Sequence, residues 1–146
     1  MDMEQEIKAA GADKAPRVTI ADIEANITSE HYFTAAQGVI AGAAQDAAEH
    51  GRPLPQGSDF PACLRLLTFC VLVLRNGFTV TGESACASPE NFDAVIGRRI
   101  ARQNAVQKIW PLMGYELRTQ LARPRLTEAD AAADLAGTPR PDHPTV

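Results

Sequence analysis

The dipeptide Asn76-Gly77 separates two strand-like runs and is the feature that most constrains the fold of this chain. The run before it, Leu66 to Arg75, is almost continuously apolar, which is typical of a strand buried on both faces or packed under a helix. After it, Phe78, Val80 and Gly82 alternate with polar residues, as in a half-exposed strand. Because Asn and Gly both tolerate positive φ, they are the strongest short-range hairpin signal. The sequence therefore predicts an antiparallel β-hairpin.

A long amphipathic helix is predicted to follow the hairpin. Ser88 is a plausible N-cap, and Pro89 suits the first helical position because its missing N–H would have no partner there. Pro111 is expected to kink or end the helix, and a second helix should run from about Pro111 to Ala122. An apolar stripe is expected to face the core. It comprises Phe92, Val95, Ile96, Ile100, Val106, Ile109 and Trp110.

The predicted organisation is a single α+β domain, residues 18–122, between two tails. Residues 1–17 lack periodicity and are expected to form a flexible N-terminal tail. Residues 123–146 are rich in Ala, Asp, Pro and Thr and are expected to be mostly disordered, the alternative being a short helix at 127–135. In this fold class a small antiparallel sheet, containing the hairpin, packs against the long C-terminal helix with its proline break and against an N-terminal helix.

The N-terminal half of the domain gives weaker signals. Thr19, with Asp22 three residues on, predicts the N-cap of a helix. The segment His31 to Thr34 is compatible with a short strand or with a buried turn. Residues 35–61 are predicted to be a loop-rich insertion. The first part of this insertion, up to His50, has a helix-compatible composition that is weakened by two glycines.

Charge is unevenly placed along a chain whose formal net charge is −4. Between Phe60 and Arg125 there are nine basic and four acidic residues, an excess of five positive charges that leaves −9 for the remainder. Such asymmetry indicates an anionic partner for the basic part. The alternative is a solvated helix face between acidic, solubilising tails.

Several classes of function lack their sequence signals. The three histidines are dispersed, and neither a GxSxG motif nor a phosphate-binding glycine loop occurs, so we expect neither an enzyme nor a cofactor. Cys63, Cys70 and Cys86 have no metal-ligand spacing and are expected to be reduced thiols in a cytosolic protein. No apolar run reaches transmembrane length.

The candidate binding residues lie on and around the predicted long helix. Arg98 and Arg102 are four residues apart and should lie one above the other, with Arg99 beside them and Lys108 further along. Arginine guanidinium groups bind phosphate oxygens through two parallel hydrogen bonds and keep their charge. The alternative is an ordinary solvated helix face, in which Arg98 or Arg102 pairs with nearby acidic residues.

Three further residues complete the predicted site. Phe78, beside the turn, and Phe92, near the helix start, could stack on a nucleotide base, although either is also compatible with a place in the core. Asn91 is expected at the helix N-terminus, where unpaired N–H groups favour anions.

The stretch from Leu74 to Arg118 closely resembles a family of small tailed-phage and prophage proteins. The shared motifs are Asn76-Gly77-Phe78, Ala85-Cys86, Pro89 with Asn91-Phe92-Asp93, Ile96-Gly97, Ile109-Trp110 and Gly114-Tyr115. The resemblance is strong over residues 64–122 and weak over residues 18–34. The family is identified as including the Thoeris anti-defence sponges, which bind cyclic ADP-ribose-type signals, and in some cases cyclic oligonucleotides, without cleaving them.

This resemblance implies an anti-defence protein of the host cytoplasm, a homo-oligomer with nucleotide pockets at subunit boundaries. The ligand would be a cyclic nucleotide or an ADP-ribose-derived molecule, held without catalysis or cofactor. The runner-up hypothesis is a small phage regulatory module that binds nucleic acid or a host protein. The insertion at 35–61 and the C-terminal tail are departures from the shorter family members.

Overall fold

The computed structural model describes residues 2–142, so Met1 of the predicted N-terminal tail and residues 143–146 of the predicted C-terminal tail lie outside the described residues. Three strands form one sheet: β1 (Ile27–Thr34), β2 (Leu67–Leu74) and β3 (Thr79–Ala85). The α-helices are α1 (Met3–Ala9), α2 (Ile20–Asn26), α3 (Ala35–Glu49), α4 (Ala94–Ala122) and α5 (Glu128–Ala136). Two compact units divide the chain, one of residues Thr19–Pro111 and one of residues Met1–Val18 with Leu112–Val146.

The sheet of the Thr19–Pro111 unit is antiparallel, with the strand order β1-β2-β3. The predicted hairpin is confirmed, because β2 and β3 pair around Asn76-Gly77. Gly77 donates its N–H to the carbonyl of Leu74, and Leu74 donates its own N–H to the carbonyl of Phe78. Gly77 has a φ of +87° and Asn76 does not have a positive φ. The loop is therefore a three-residue turn with a glycine bulge, and its register depends on one left-handed residue.

The segment His31–Thr34 lies in strand β1, which settles the choice between a strand and a turn. In the central strand, alternate residues are buried on one face, and Leu67, Phe69, Val71 and Val73 on the other face are half-buried. The outer edge of β3 is covered by a side chain of α4, since Asn104 Nδ2 donates to the carbonyl of Glu83 at 2.8 Å.

The predicted apolar stripe of α4 is wrong for three of its seven members, while Phe92, Val106 and Trp110 are half-buried. The buried residues of α4 are Gly97, Ala101, Ala105 and Ile109, which recur every four residues. Ile109 alone belongs to the predicted stripe, whereas Val95 is 64% exposed and Ile96 and Ile100 are exposed as well. Because successive residues differ by about 100° around a helix axis, Ile96 and Ile100 lie more than a quarter of a turn from Gly97 and Ala101, which follow them.

Gly82 of β3 explains this choice of face. A Cβ atom at Gly82 would lie 2.0 Å from the carbonyl oxygen of Ala101 and 2.2 Å from the backbone nitrogen of Ala105. The backbone of α4 therefore rests directly on the backbone of β3. Small residues fit at such a distance, so Ala101 and Ala105 face β3 at this point, and Ile109 is buried one turn further along the helix.

Both predicted boundaries of the long helix also need correction. Pro89 to Asn91 form a short 3-10 turn, and α4 begins at Ala94, where the Asp93 carboxylate accepts a hydrogen bond from the N–H of Ile96 at 3.0 Å. Asp93 thus provides the cap that was assigned to Ser88. The helix does not end at Pro111 but continues to Ala122.

The remaining helices have well-formed N-caps. Thr19 and Asp22 form the predicted capping box of α2. Helix α3 is continuous through its two glycines, so more than half of the segment predicted as loop-rich is helical. The N- and C-terminal segments predicted as tails contain α1 and α5, and α5 is capped by Thr127 and includes Asp130, which is 1% exposed. None of the described helices is both long and apolar enough to cross a membrane.

Candidate functional site

A cavity of about 160 Å³ lies at one end of the sheet in the Thr19–Pro111 unit. It is bordered by the end of β1, the first turns of α3, the beginning of β2 and the beginning of α4. Its lining residues are Phe33, Thr34, Gln37, Thr68, Phe92, Ala94 and Arg98. Two of the predicted site residues, Phe92 and Arg98, are therefore brought together.

Arg98 supplies the positive charge of this cavity. No other described residue forms an ion pair or a hydrogen bond with its exposed guanidinium group. An arginine guanidinium stays charged and offers five N–H donors in one plane, which suits phosphate or carboxylate oxygens. All the donors of Arg98 are therefore available to an anion in the cavity.

Thr68 supplies a hydroxyl group. The residue is 3% exposed and lines the cavity, and within residues 2–142 no group hydrogen-bonds to its hydroxyl. A Cβ atom at Gly97 would lie 3.1 Å from Thr68 Oγ1, so glycine at that position leaves room beside the hydroxyl. No described buried side-chain oxygen or nitrogen atom lacks a hydrogen-bond partner, so this hydroxyl is not sealed in the core but opens to the cavity, where it can hydrogen-bond to an occupant.

Aromatic rings border the same cavity. Phe33 is partly exposed and stacks on Phe69, with ring centroids 5.3 Å apart and an angle of 20° between the planes. Phe92, which is half-buried, lies close to the helix backbone at Gly97. The lining thus combines a cation and hydroxyl groups with aromatic surface, and none of its residues is acidic.

A larger cavity, of about 540 Å³, adjoins the first through Phe92, which lines both. Its other lining residues are Ala62, Cys63, Arg65, Leu66 and Pro89. Sequence reasoning missed Thr68, Gln37 and Arg65. Each is an ordinary residue of a strand, a helix or a turn, and no local pattern distinguishes it.

The structure does not bring the other predicted site residues to these cavities. Arg99 is exposed on α4 but lines neither cavity. Lys108 lies 4.0 Å from the Glu83 carboxylate. Phe78 is 55% exposed at the hairpin turn, which is the opposite end of β2 from Thr68. Asn91 lies in the 3-10 turn that precedes α4. The Asp93 carboxylate caps the N-terminus of α4, so Asn91 does not lie there as predicted.

Arg102 has a structural role in this chain rather than a place in the cavity. Its Nη2 lies 2.7 Å from Glu24 Oε2, and its Nε lies 2.8 Å from Glu30 Oε1. These ion pairs join α4 to α2 and β1, which corresponds to the alternative in which an arginine of this face pairs with nearby acidic residues. The expectation that Arg102 lies on an unpaired cationic face is therefore corrected.

The electrostatics of this cluster follow from the pairing. Hydrogen bonds from the Arg102 guanidinium group lower the pKa of Glu24 and of Glu30 below their usual value. The same hydrogen bonds raise the pKa of Arg102. Burial, with the neighbouring Glu30 carboxylate, raises the pKa of Tyr32. At neutral pH, Glu24, Glu30 and Arg102 therefore stay charged and Tyr32 stays neutral. The ion pairs of this cluster hold α4 to α2 and β1.

No group of three or more His, Cys, Asp or Glu side chains in the described part of the chain could hold a metal ion.

One known family matches the chain. A model of the phage protein family described as N4 Gp49/phage Sf6 gene 66 matches residues 18–121, which include every residue that lines the two cavities. Comparisons with curated proteins and with solved structures give no match.

Proposed function

We propose, from the premise that this chain belongs to the N4 Gp49/phage Sf6 gene 66 family of phage proteins, that it binds a cyclic nucleotide signal and sequesters it from a host defence effector. The ligand is of the cyclic ADP-ribose or cyclic oligonucleotide type. The protein acts by holding the ligand, in the cytoplasm of the infected cell, and releases it intact.

The observation that carries the proposal is the pairing of Arg98 with Thr68 in one cavity beside two phenylalanine rings. A nucleotide needs hydrogen-bond donors for its phosphate and an aromatic surface for its base. Arg98 and the Thr68 hydroxyl supply the donors. Phe92 and Phe33 supply the aromatic surface. None of the residues that line this cavity is acidic, so a bound phosphate is not repelled by a carboxylate there.

Binding without cleavage is the second element of the proposal. Hydrolysis of a phosphodiester needs a group that activates water or a nucleophile, placed against the reacting phosphate. The side chains that line the Arg98 cavity are amide, hydroxyl, guanidinium and hydrocarbon groups, and none of them is a general base at neutral pH. These groups can hold a phosphate but do not provide that chemistry.

The third element is a homo-oligomer. Val95, Ile96 and Ile100 present large apolar side chains on the outward face of α4, next to Arg99. Contiguous exposed apolar residues of this kind mark interaction surfaces. Light scattering across micromolar concentrations is expected to give a mass at least twice that of the chain, and a monomer throughout the range would remove this element.

Calorimetric titration with cyclic ADP-ribose isomers and with cyclic di- and trinucleotides tests the proposal. The matched pair of variants is Arg98→Ala and Arg99→Ala, two neighbouring exposed arginines of which only the first lines the cavity. Loss of a charge-assisted hydrogen bond costs about 2 kcal/mol, so Arg98→Ala should weaken binding about thirtyfold. Arg99→Ala should leave the affinity within about twofold.

Three outcomes would count against the proposal. If the wild type binds no member of the panel, sequestration fails, and the regulatory module that binds nucleic acid or a host protein becomes the better hypothesis. A nucleic acid that is bound through several of its phosphates would show a steep salt dependence of the affinity. If a ligand is bound and recovered in cleaved form, the protein is an enzyme.

A further inference from the structure

We propose that Arg65 binds a second phosphate group, so that the site selects ligands in which two phosphates are separated by a nucleoside. This inference rests on the proposed function, because it specifies the ligand class of the same site. It concerns the larger cavity of about 540 Å³, which shares Phe92 with the Arg98 cavity.

The size and lining of the larger cavity suit a nucleoside. Ligand sites of several hundred cubic ångströms with mainly apolar walls bury most of a small molecule. Ala62, Leu66, Pro89 and Phe92 form such walls here. The Arg98 cavity, at about 160 Å³, is too small for a nucleoside and its phosphate together, but it can accept the phosphate. A ligand with its phosphate at Arg98 would therefore extend past Phe92 into the larger cavity.

Arg65 is the charged residue of the larger cavity. It belongs to the 3-10 turn Ala62–Leu66, it is exposed, and no other described residue forms an ion pair or a hydrogen bond with it. Arg65 also lines a third cavity, of about 290 Å³, whose walls include Gly57 and Phe60. A Cβ atom at Gly57 would be 3.9 Å from Arg65 Nη2, so the guanidinium group lies against the loop that precedes the turn.

Arg98 and Arg65 thus lie at two cavities that share Phe92. Each guanidinium group has unused donors and each borders a different cavity. A ligand with a single phosphate can engage one of them. A ligand that carries a phosphate on each side of a nucleoside, as cyclic dinucleotides do, can engage both while its base contacts Phe92. Of the segment of residues 35–61, Gln37 lines the first cavity.

The test compares two probes that contain the same base, 3′,5′-cyclic AMP with one phosphate and cyclic di-AMP with two. Each is titrated by calorimetry against the wild type, Arg65→Ala, Arg98→Ala and the control Arg99→Ala. The wild type should bind cyclic di-AMP at least about tenfold more tightly than cyclic AMP. Arg65→Ala should weaken cyclic di-AMP binding about thirtyfold and change cyclic AMP binding by less than about twofold. Arg98→Ala should weaken both.

Because Arg65 is exposed and unpaired, its replacement should leave the melting temperature unchanged, and Arg65→Lys should restore part of the preference by keeping the charge. The inference is overturned if Arg65→Ala affects both probes equally or affects neither. If the wild type binds the two probes equally and loses both in Arg98→Ala, the proposed function stands and this inference falls. If the wild type binds neither probe, this inference is wrong, and the proposed function is decided by the titrations with cyclic ADP-ribose isomers and cyclic trinucleotides.

Discussion

Replacing Gly82 by alanine is expected to destabilise the Thr19–Pro111 unit more than any other single methyl addition at its glycines. The new Cβ atom would lie 2.0 Å from the Ala101 carbonyl oxygen and 2.2 Å from the Ala105 nitrogen. Side-chain carbons do not approach other atoms within 3.0 Å, so α4 would have to move outward by about 1 Å or more. The atoms in conflict belong to backbone and cannot rotate away.

The magnitude follows from the row of contacts that this movement would loosen. A gap of 0.5–1 Å forfeits roughly a quarter to a half of the dispersion energy of each contact. Gly97, Ala101, Ala105 and Ile109 are all buried in the same row, so all four would lose contact together. Overpacking of cores costs about 1–3 kcal/mol, occasionally more, and we expect about 3 kcal/mol here. For a unit of this size that lowers the melting temperature by roughly 10–20 °C.

Urea denaturation followed by circular dichroism measures the effect. The matched control is Gly42→Ala in α3, where the added Cβ would meet no atom within 4 Å. Since glycine in a helix is less favourable than alanine by roughly 0.5–1 kcal/mol, this control should be stabilised. A combination of Gly82→Ala with Ala101→Gly should not recover the loss, because the conflict is with backbone atoms. Recovery in the double variant, or a loss below about 1 kcal/mol in the single one, would refute the reasoning.

Three further predictions concern the ion pairs and the helices. Arg102→Glu would place a third carboxylate beside Glu24 and Glu30, and it should lower the free energy of unfolding by about 1 kcal/mol in denaturant titrations, rather than acting on ligand binding alone. Because Arg102 lowers the folded-state pKa values of Glu24 and Glu30, their contribution is complete above the usual glutamate pKa of 4.5 and is lost as the pH falls through the lowered values. Thermal melts between pH 3 and 6 should show this loss in the wild type and a smaller one in Arg102→Met. A chain that stops at Leu126 lacks the buried Asp130 and Ala133, so it should melt at a lower temperature than the full chain, whereas an unchanged melt would show that α5 adds no stability.

Sequence reasoning succeeded where the determining residues are close together in the chain. The hairpin depends on Asn76-Gly77 and the start of α2 on Thr19 with Asp22, and both are local patterns. It failed for the buried face of α4, because the large apolar residues dominate any helical pattern while the contact distance is set by Gly82 on another element. The pairing of Arg102 with Glu24 and Glu30 is equally non-local, since more than seventy residues separate the partners.

The candidate site likewise has residues that could be predicted from local sequence patterns and residues that could not. Phe92 and Arg98 could be proposed from one helix and its preceding turn, because their side-chain types already suit stacking and phosphate binding. Thr68, Gln37 and Arg65 join them only through the meeting of β2, α3 and the turn before β2. No pattern within any of those segments distinguishes a threonine that faces a cavity from one that faces the core.

The Asn104 side chain on the Glu83 carbonyl has a consequence for how this sheet can grow. That bond occupies the outward carbonyl of Glu83 and obstructs the pairing of a further strand with β3 at this residue. The backbone groups of Leu74 form hydrogen bonds towards β3. Because this direction alternates along paired strands, His31 and Phe33 of β1 bond towards β2. The N–H and C=O groups of Glu30 and Tyr32 therefore point outward. Within residues 2–142 no backbone group pairs with that outer edge of β1. A peptide or another chain that extends the sheet is therefore expected to join at β1, which gives the order new strand, β1, β2, β3.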